Sequence, residues 1–240
     1  MKNFAKKAVT GLLLFSMTAT AGLTADIKTA EALSLGDLGN FLGVGGKQDL
    51  ETSRERMLNN FYYSTALLLA AYQNIKFATD DSLANRDLIT QEQATKSAVK
   101  SFDAGLNMKN GAEQNKADAE NMKQKLSEAL ATGDEEKLKE IDRYIKEANN
   151  QRLLSDVMAG VSSVQITIIM AAKVKSVIGG NYGDISDIIT IANDVSQMLK
   201  VRSELSKILK TSTQEYRKTR GIKDPNKKEQ KAAADEIEKG

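Results

Sequence analysis

Paired carboxylates are the side chains of this sequence that come nearest to a catalytic or metal-binding pattern. Adjacent acids occur at Asp80–Asp81 and at Glu135–Glu136, and Asp184 is followed three residues later by Asp187. Each pair lies in a turn or at the start of a predicted helix, where carboxylates cap free amides and complement the helix dipole. No further oxygen ligands follow the first pair at the spacing of a calcium loop. We therefore interpret these acids as helix caps and predict no metal site.

Residues 179–184, Gly-Gly-Asn-Tyr-Gly-Asp, form a glycine-rich loop before a predicted helix. Such a loop can expose backbone amides to a phosphate group. This one lacks the spacing and the Lys-Ser/Thr ending of a P-loop, and no strand is predicted before it. A tight turn between two helices also requires glycine, because glycine accepts backbone conformations that other residues avoid. We interpret the loop as a hairpin turn.

The sequence contains no cysteine and no histidine. The first absence excludes disulfides, thiolate catalysis and zinc–thiolate sites, and the second removes the side chain best suited to proton transfer near neutral pH. The pair Ser162–Ser163 lies within a predicted helix and has no nearby base to activate it. We therefore predict a non-enzymatic protein with no catalytic residues, no metal ligands and no cofactor. An enzyme that works without His or Cys is the weaker alternative.

The most apolar stretch of the chain runs from Leu153 to Ile178, and residues 157–172 carry no charge. A narrow polar edge along this segment comprises Arg152, Asp156, Ser163 and Thr167. A helix that is apolar almost all round must be enclosed by other protein elements or by lipid. The chain has a single proline, at position 225, so its body lacks the strongest helix breaker. We predict an all-α fold, an antiparallel bundle of four to five helices with Leu153–Ile178 at its centre and Ile169 in the core.

Helical spacing of apolar residues predicts the other elements of the bundle. One helix is predicted over Leu50–Ala78, and a second begins near Asp87 or Thr90, with Thr90 and Gln93 as a capping pair. Residues 109–121 have almost nothing large to bury and fit either a solvent-facing helix or a mobile connection. A further helix is capped by Asp134 and continues into the central segment, with a bend expected near Asn149 because an uninterrupted helix would be long for a compact domain.

The last predicted helix is capped by Asp184 and carries a wide apolar stripe. Its short connection to the central helix predicts an antiparallel hairpin between the two. The stripe comprises Ile185, Ile188, Ile189, Ile191, Ala192, Val195, Met198, Leu199, Val201, Leu205, Ile208 and Leu209.

The N-terminus has the pattern of a bacterial secretory signal peptide. Three lysines precede an apolar run over residues 8–17, and Ala19-Thr20-Ala21 supplies small residues at the cleavage site. We expect cleavage before Gly22 and export to the periplasm or the cell exterior. The apolar run is shorter than the ~20 residues of a spanning helix, so we expect no stable transmembrane anchor after cleavage.

These patterns divide the chain into four predicted segments. Residues 1–21 are the signal peptide, 22–49 a glycine-rich apolar strap, 50–220 the helical bundle domain and 221–240 a charged disordered tail. Glycine at the density found in the strap resists regular helix, yet residues 33–44 of the strap also include six large apolar side chains. We expect it to fold along the bundle surface, and the alternative is a segment that docks on a partner or touches a membrane.

The charge balance of the chain excludes a strong general attraction to nucleic acid. Removing the three leader lysines reduces 34 basic residues to 31, against 32 acidic residues, which gives a net charge of −1. We predict an exported, non-enzymatic helical-bundle protein that acts as a binding, scaffold or envelope-interaction module, with another protein or an envelope component as its partner. The alternative is a membrane-active protein, pore-forming or lipid-interacting, that uses the apolar hairpin 153–209.

Overall fold

The described part of the chain is almost entirely helical. The computed structural model describes residues 50–80, 83, 86–96, 112–226, 228–230 and 232–233. Of this part 87% is helical and none of it is strand, so the predicted all-α class is confirmed. The helices are α1 Leu50–Thr79, α2 Gln91–Lys96, α3 Ala112–Thr132, α4 Glu135–Ile178 and α5 Asp184–Arg220.

Two helix starts have the capping side chains that the sequence predicts. At α2 the Gln93 side chain accepts from the Thr90 amide at 2.9 Å, and the Gln93 amide donates back to the Thr90 hydroxyl at 3.3 Å. At α4 the Asp134 carboxylate accepts from the amides of Glu136 and Lys137 at 3.1 and 3.2 Å. These bonds satisfy amides that have no partner within the helix.

The helix α4 runs without interruption through Asn149, where the sequence suggests a bend. Its 44 residues form one helix. The Asn149 side chain donates to Asp224 at 3.0 Å and accepts from Arg152 at 3.3 Å. Asparagine usually weakens a helix because its side chain forms hydrogen bonds with nearby backbone groups. The Asn149 side chain bonds other side chains instead. The ambiguous stretch 112–121 also belongs to a helix, α3.

Several predicted features lie outside the described residues. These are the signal peptide at 1–21, the strap at 22–49, and residues 97–111 of the predicted second helix. The segment predicted as a tail is described at its start, where Gly221 has φ +65° and Ile222 is buried. Asn226 and Glu229 then cap each other, with each side chain accepting from the other's backbone amide.

Contacts within the chain define two compact units, which comprise residues Met1–Asn60 with Ala159–Met198, and Phe61–Met158 with Leu199–Gly240. The second unit has an aliphatic core to which α1, α3, α4 and α5 all contribute. Its buried members are Leu68, Ala71, Tyr72, Ile75, Met122, Leu126, Ala129, Leu138, Ile141, Ile145, Ala148, Val201, Leu205, Leu209, Tyr216 and Ile222.

The second unit also buries polar side chains that bond one another. Ser64 on α1 and Ser155 on α4 are fully buried, and each hydroxyl donates to the other residue's carbonyl, at 3.0 and 2.8 Å. Asn74 and Gln151 both donate to the carbonyl of Ile89, at 2.9 and 2.7 Å. These bonds hold the irregular segment before α2 against α1 and α4, because a buried polar group is costly unless it is paired.

The first unit buries one face of the apolar part of α4. Ile169 is 2% exposed, which confirms its predicted core position. The Ser162 hydroxyl donates to the Met57 carbonyl of α1 at 3.4 Å. The other buried apolar side chains of this unit are Met57, Ala159, Val161, Met170, Val177, Ile188, Ile191, Val195 and Met198. Among the described helices, none has the length and apolar character needed to cross a membrane.

Candidate functional site

The connection between α4 and α5 exposes large apolar side chains to solvent. Ile178 is 75% exposed, Tyr182 62%, Ile189 49% and Ile185 39%, and within the described part of the chain these are the exposed large hydrophobic residues. We call residues 176–189 the hairpin tip. A single exposed isoleucine is ordinary, but several large exposed apolar side chains close together in one hairpin are typical of an interaction site.

Glycine shapes the turn that presents these side chains. Gly180 has φ +105°, a conformation that other residues rarely adopt. The Gly180 amide donates to the Val177 carbonyl at 3.0 Å, and the Asn181 amide donates to the Ser176 carbonyl at 3.1 Å. This pair of bonds ends α4 in a Schellman motif. The prediction that the glycine loop serves as a hairpin turn agrees with this geometry.

An ion-paired lysine joins the two arms of the hairpin at the base of the tip. Lys173 on α4 donates to Asp184 at 3.0 Å and to Asp187 at 2.8 Å, both in the first turn of α5. The hydrogen bond to Asp187 is the main reason that the pKa of Lys173 is raised. Hydrogen bonds from Ser176 and Lys173 lower the pKa of Asp184. The acids at the helix start are therefore paired with a cation of the same unit, and the hairpin arms are held together where the tip begins.

Part of the predicted apolar stripe of α5 faces solvent. Ile188 and Ile191 are buried, as the stripe predicts. Ile185 and Ile189 are exposed, although the sequence pattern placed them in the same stripe. They are four residues apart and so share one face of the helix, and Tyr182 lies in the turn just before α5. The tip therefore continues along the first two turns of α5 as a row of apolar side chains.

The other candidates for chemistry have structural roles. The Glu135 carboxylate accepts a hydrogen bond from Arg220 at 3.1 Å. Of the serine pair, Ser162 is fully buried, and its hydroxyl donates to the Met57 carbonyl. Of the adjacent acids Asp80 and Asp81, Asp81 lies outside the described residues. Within the described residues no group of three or more acids is arranged to hold a metal ion.

A chain of polar side chains in the second unit was not anticipated from the sequence. Asp156 accepts from Arg152 at 3.2 Å and also from Arg202, so that α4 and α5 are joined by a carboxylate between two guanidinium groups. Both arginines are about nine-tenths buried. Arg217 pairs with Asp224, which also accepts from Asn149. The network fixes α5 and the segment after it to α4.

Two tyrosines of the second unit bond to carboxylates. Tyr72 donates to Asp118 and Tyr216 donates to Asp142. Burial, reinforced by the adjacent carboxylate, raises the pKa of both phenols. Each therefore remains protonated at neutral pH and acts as a hydrogen-bond donor between helices. Arg220 also bonds Asp142 at 3.0 Å. These contacts account for the tyrosines as structural residues.

Comparison of the chain with protein-family models, with curated proteins and with solved structures finds no match.

Proposed function

We propose that this chain is an exported, non-enzymatic binding protein of the cell envelope, and that it binds through the hairpin tip. The observation that carries the proposal is the exposure of Ile178, Tyr182, Ile185 and Ile189 at one end of a helical hairpin. Soluble proteins rarely expose neighbouring large apolar side chains unless a partner covers them. The leader-like N-terminus supports a location in the envelope.

The size of the tip supports reversible binding. Fully burying one aliphatic side chain contributes about 1.5–3 kcal/mol. The exposed fractions of the four side chains add up to roughly two whole side chains, because each is already partly buried in the free protein. After the costs of association, a contact of this size favours exchange over permanent attachment.

The alternative of a pore-forming protein requires the apolar hairpin 153–209 to leave its present position. Burial of Leu154, Met158 and Ile169 opposes that release, because each side chain would have to lose its existing apolar contacts. The tip needs no such rearrangement, since its apolar groups are already exposed. Binding through the tip of the folded protein is therefore the function that the geometry supports best.

The test is co-sedimentation of the purified protein with envelope fractions of the source cells. The variant Ile185→Ser/Ile189→Ser should lose most of its binding, while Lys207→Ser/Lys210→Ser, which changes two exposed residues of the same helix outside the tip, should bind like the unaltered chain. Circular dichroism of each variant checks that the helices persist. Equal binding by both variants would refute the tip as the binding surface.

A further inference from the structure

We propose that the partner of the hairpin tip is the interfacial region of a lipid bilayer, which the tip enters without crossing it. This inference rests on the proposed function, because it names the partner of the same surface. The inference is based on the size, the charge and the composition of the tip.

The tip is too small for a stable interface with a second copy of the chain or with a flat protein surface. Such interfaces bury about 800 Å² on each partner and use about 20–30 residues a side. The tip offers four large apolar side chains, three of them isoleucines, and two of the four are less than half exposed. The exposed fractions of these four side chains amount to only about two whole side chains. Since even a wholly buried aromatic side chain supplies only about 150–250 Å², the tip falls well short of that area. Binding to a lipid bilayer requires no minimum contact area, because lipid surrounds an inserted side chain on all sides.

The distribution of charge fits insertion of the turn. Residues 176–183, Ser-Val-Ile-Gly-Gly-Asn-Tyr-Gly, carry no charged side chain. Behind them Lys173 is bound by Asp184 and Asp187. Charged groups are expensive inside a bilayer, and here the first charged residues on either side of the turn are Lys175 and Asp184. The uncharged turn would thus enter lipid deepest, and the exposed face of α5 formed by Ile185 and Ile189 would follow at the level of the headgroups.

The length of this uncharged stretch sets the depth of entry. It folds back on itself, so about four residues lie on each side of the turn. Four residues reach at most about 14 Å even when fully extended, which is less than half of the ~30 Å hydrocarbon core. Tyr182 is suited to this depth, because its ring is apolar and its hydroxyl can stay hydrated at the headgroup level. The geometry therefore indicates shallow insertion.

The tip has little net attraction for anionic lipid. Lys175 is exposed, but the partly exposed carboxylate of Asp187 lies in the same region of the unit. Binding should accordingly depend on apolar contact, and it should persist on neutral vesicles and at raised salt, where surface electrostatics are screened.

The experiment is flotation of the protein with protein-free phosphatidylcholine vesicles, in parallel with native envelope membranes. Both the full chain and a chain beginning at Gly22 are used, so that any lipid binding by the leader is measured separately. The triple variant Ile178→Ser/Ile185→Ser/Ile189→Ser should lower the vesicle partition coefficient about 100-fold, and Ile185→Ser alone about 3- to 5-fold. The control Lys175→Gln should change it less than about twofold, and vesicles loaded with dye should stay sealed.

The outcomes separate the two proposals. Tip-dependent binding to envelope membranes, without binding to protein-free vesicles, would overturn the lipid partner and point to an apolar pocket on an envelope protein, while leaving the tip as the binding surface. Envelope binding that the triple variant retains would overturn both. Dye release, or loss of vesicle binding in Lys175→Gln, would contradict shallow apolar insertion. Because all three isoleucines are exposed, the variants are expected to fold, and the single variant provides the same test with a smaller change.

Discussion

Ser64 on α1 and Ser155 on α4 exchange hydrogen bonds across the interior of the second unit. Each hydroxyl donates to the other residue's backbone carbonyl, and the two oxygens of the hydroxyls are 2.8 Å apart. Bonds from side chain to backbone across two helices require the backbones to approach closely, and serine is small enough to allow this. The pair therefore fixes both the spacing and the register of α1 and α4 at this point.

Removing one hydroxyl of this pair should destabilise the protein measurably. Ser155→Ala removes the hydroxyl that donates to the Ser64 carbonyl and should cost about 1 kcal/mol in the free energy of unfolding. Ser64→Ala should cost a similar amount, and the double variant should cost less than the sum, because the two hydroxyls contact each other. Urea denaturation of the four proteins measures the coupling. Additive effects would show that the two bonds act independently, and Ser203→Ala, at an exposed site on α5, provides the control.

Asp156 should be the most sensitive residue of the arginine network. Asp156→Asn removes the carboxylate between Arg152 and Arg202, whose side chains are only 11% and 9% exposed. We expect a loss of roughly 2–4 kcal/mol in the free energy of unfolding, because two buried guanidinium groups lose their shared counter-charge. The matched control is Asp187→Asn, since Asp187 is 58% exposed and Lys173 keeps Asp184 as a partner. A loss no larger than that of the control would mean that solvent already screens the network.

The carboxyl group of Glu147 should make stability depend on pH. Burial raises the pKa of Glu147 above its ordinary value of 4.5, although Gln151 and the Gln91 amide both donate to it. An acid whose pKa is raised by folding favours the protonated folded state. Its contribution to stability is therefore fully present below pH 4.5 and is lost as the pH rises through the raised pKa.

The variant Glu147→Gln tests this dependence, because its side chain stays neutral. Relative to the unaltered protein it should gain stability as the pH is raised from about 4.5 to 7. Thermal or urea unfolding across this range measures the difference, and Glu140→Gln, at an exposed position of α4, controls for the removal of one negative charge. A stability difference that stays constant with pH would refute the raised pKa.

Two isoleucines of the first unit provide a matched comparison of core and tip. Ile169→Ala should destabilise by about 2–5 kcal/mol through lost burial and a residual cavity, since Ile169 is 2% exposed. Ile189→Ala should cost only about 1 kcal/mol in the free energy of unfolding, since Ile189 is 49% exposed. Equal losses would mean that Ile189 is covered in the free protein and would remove one residue from the proposed binding surface.

The positions of the helices and several of their ends could be predicted from the sequence, because these depend on neighbours a few residues away. The Asp134 cap, the Thr90–Gln93 capping box and the turn at Gly180 are examples. Contacts between distant residues could not be predicted in this way. Ser64 and Ser155 are 91 residues apart, and only the packing of α1 on α4 brings them together.

The candidate site was missed for a different reason. The spacing of apolar residues predicts an isoleucine-rich helix α5, but it does not predict which of these residues a neighbouring element covers. Ile185 and Ile189 occupy one face and Ile188 and Ile191 another, so the start of α5 is apolar over a wider angle than one partner can bury. That excess width is the sequence signal that could have indicated an exposed apolar face.

The most direct test of tip insertion is the fluorescence of a single tryptophan at position 182. The sequence contains no tryptophan, so Tyr182→Trp introduces a unique probe with conservative chemistry. On addition of phosphatidylcholine vesicles its emission should shift to shorter wavelength, and lipids brominated near the headgroup end of the acyl chain should quench it more strongly than lipids brominated near the bilayer centre. Lys207→Trp, at an exposed site of α5 outside the tip, should show neither effect. Emission from Trp at position 182 that stays at its solvent-exposed wavelength while the protein floats with the vesicles would contradict insertion of the tip.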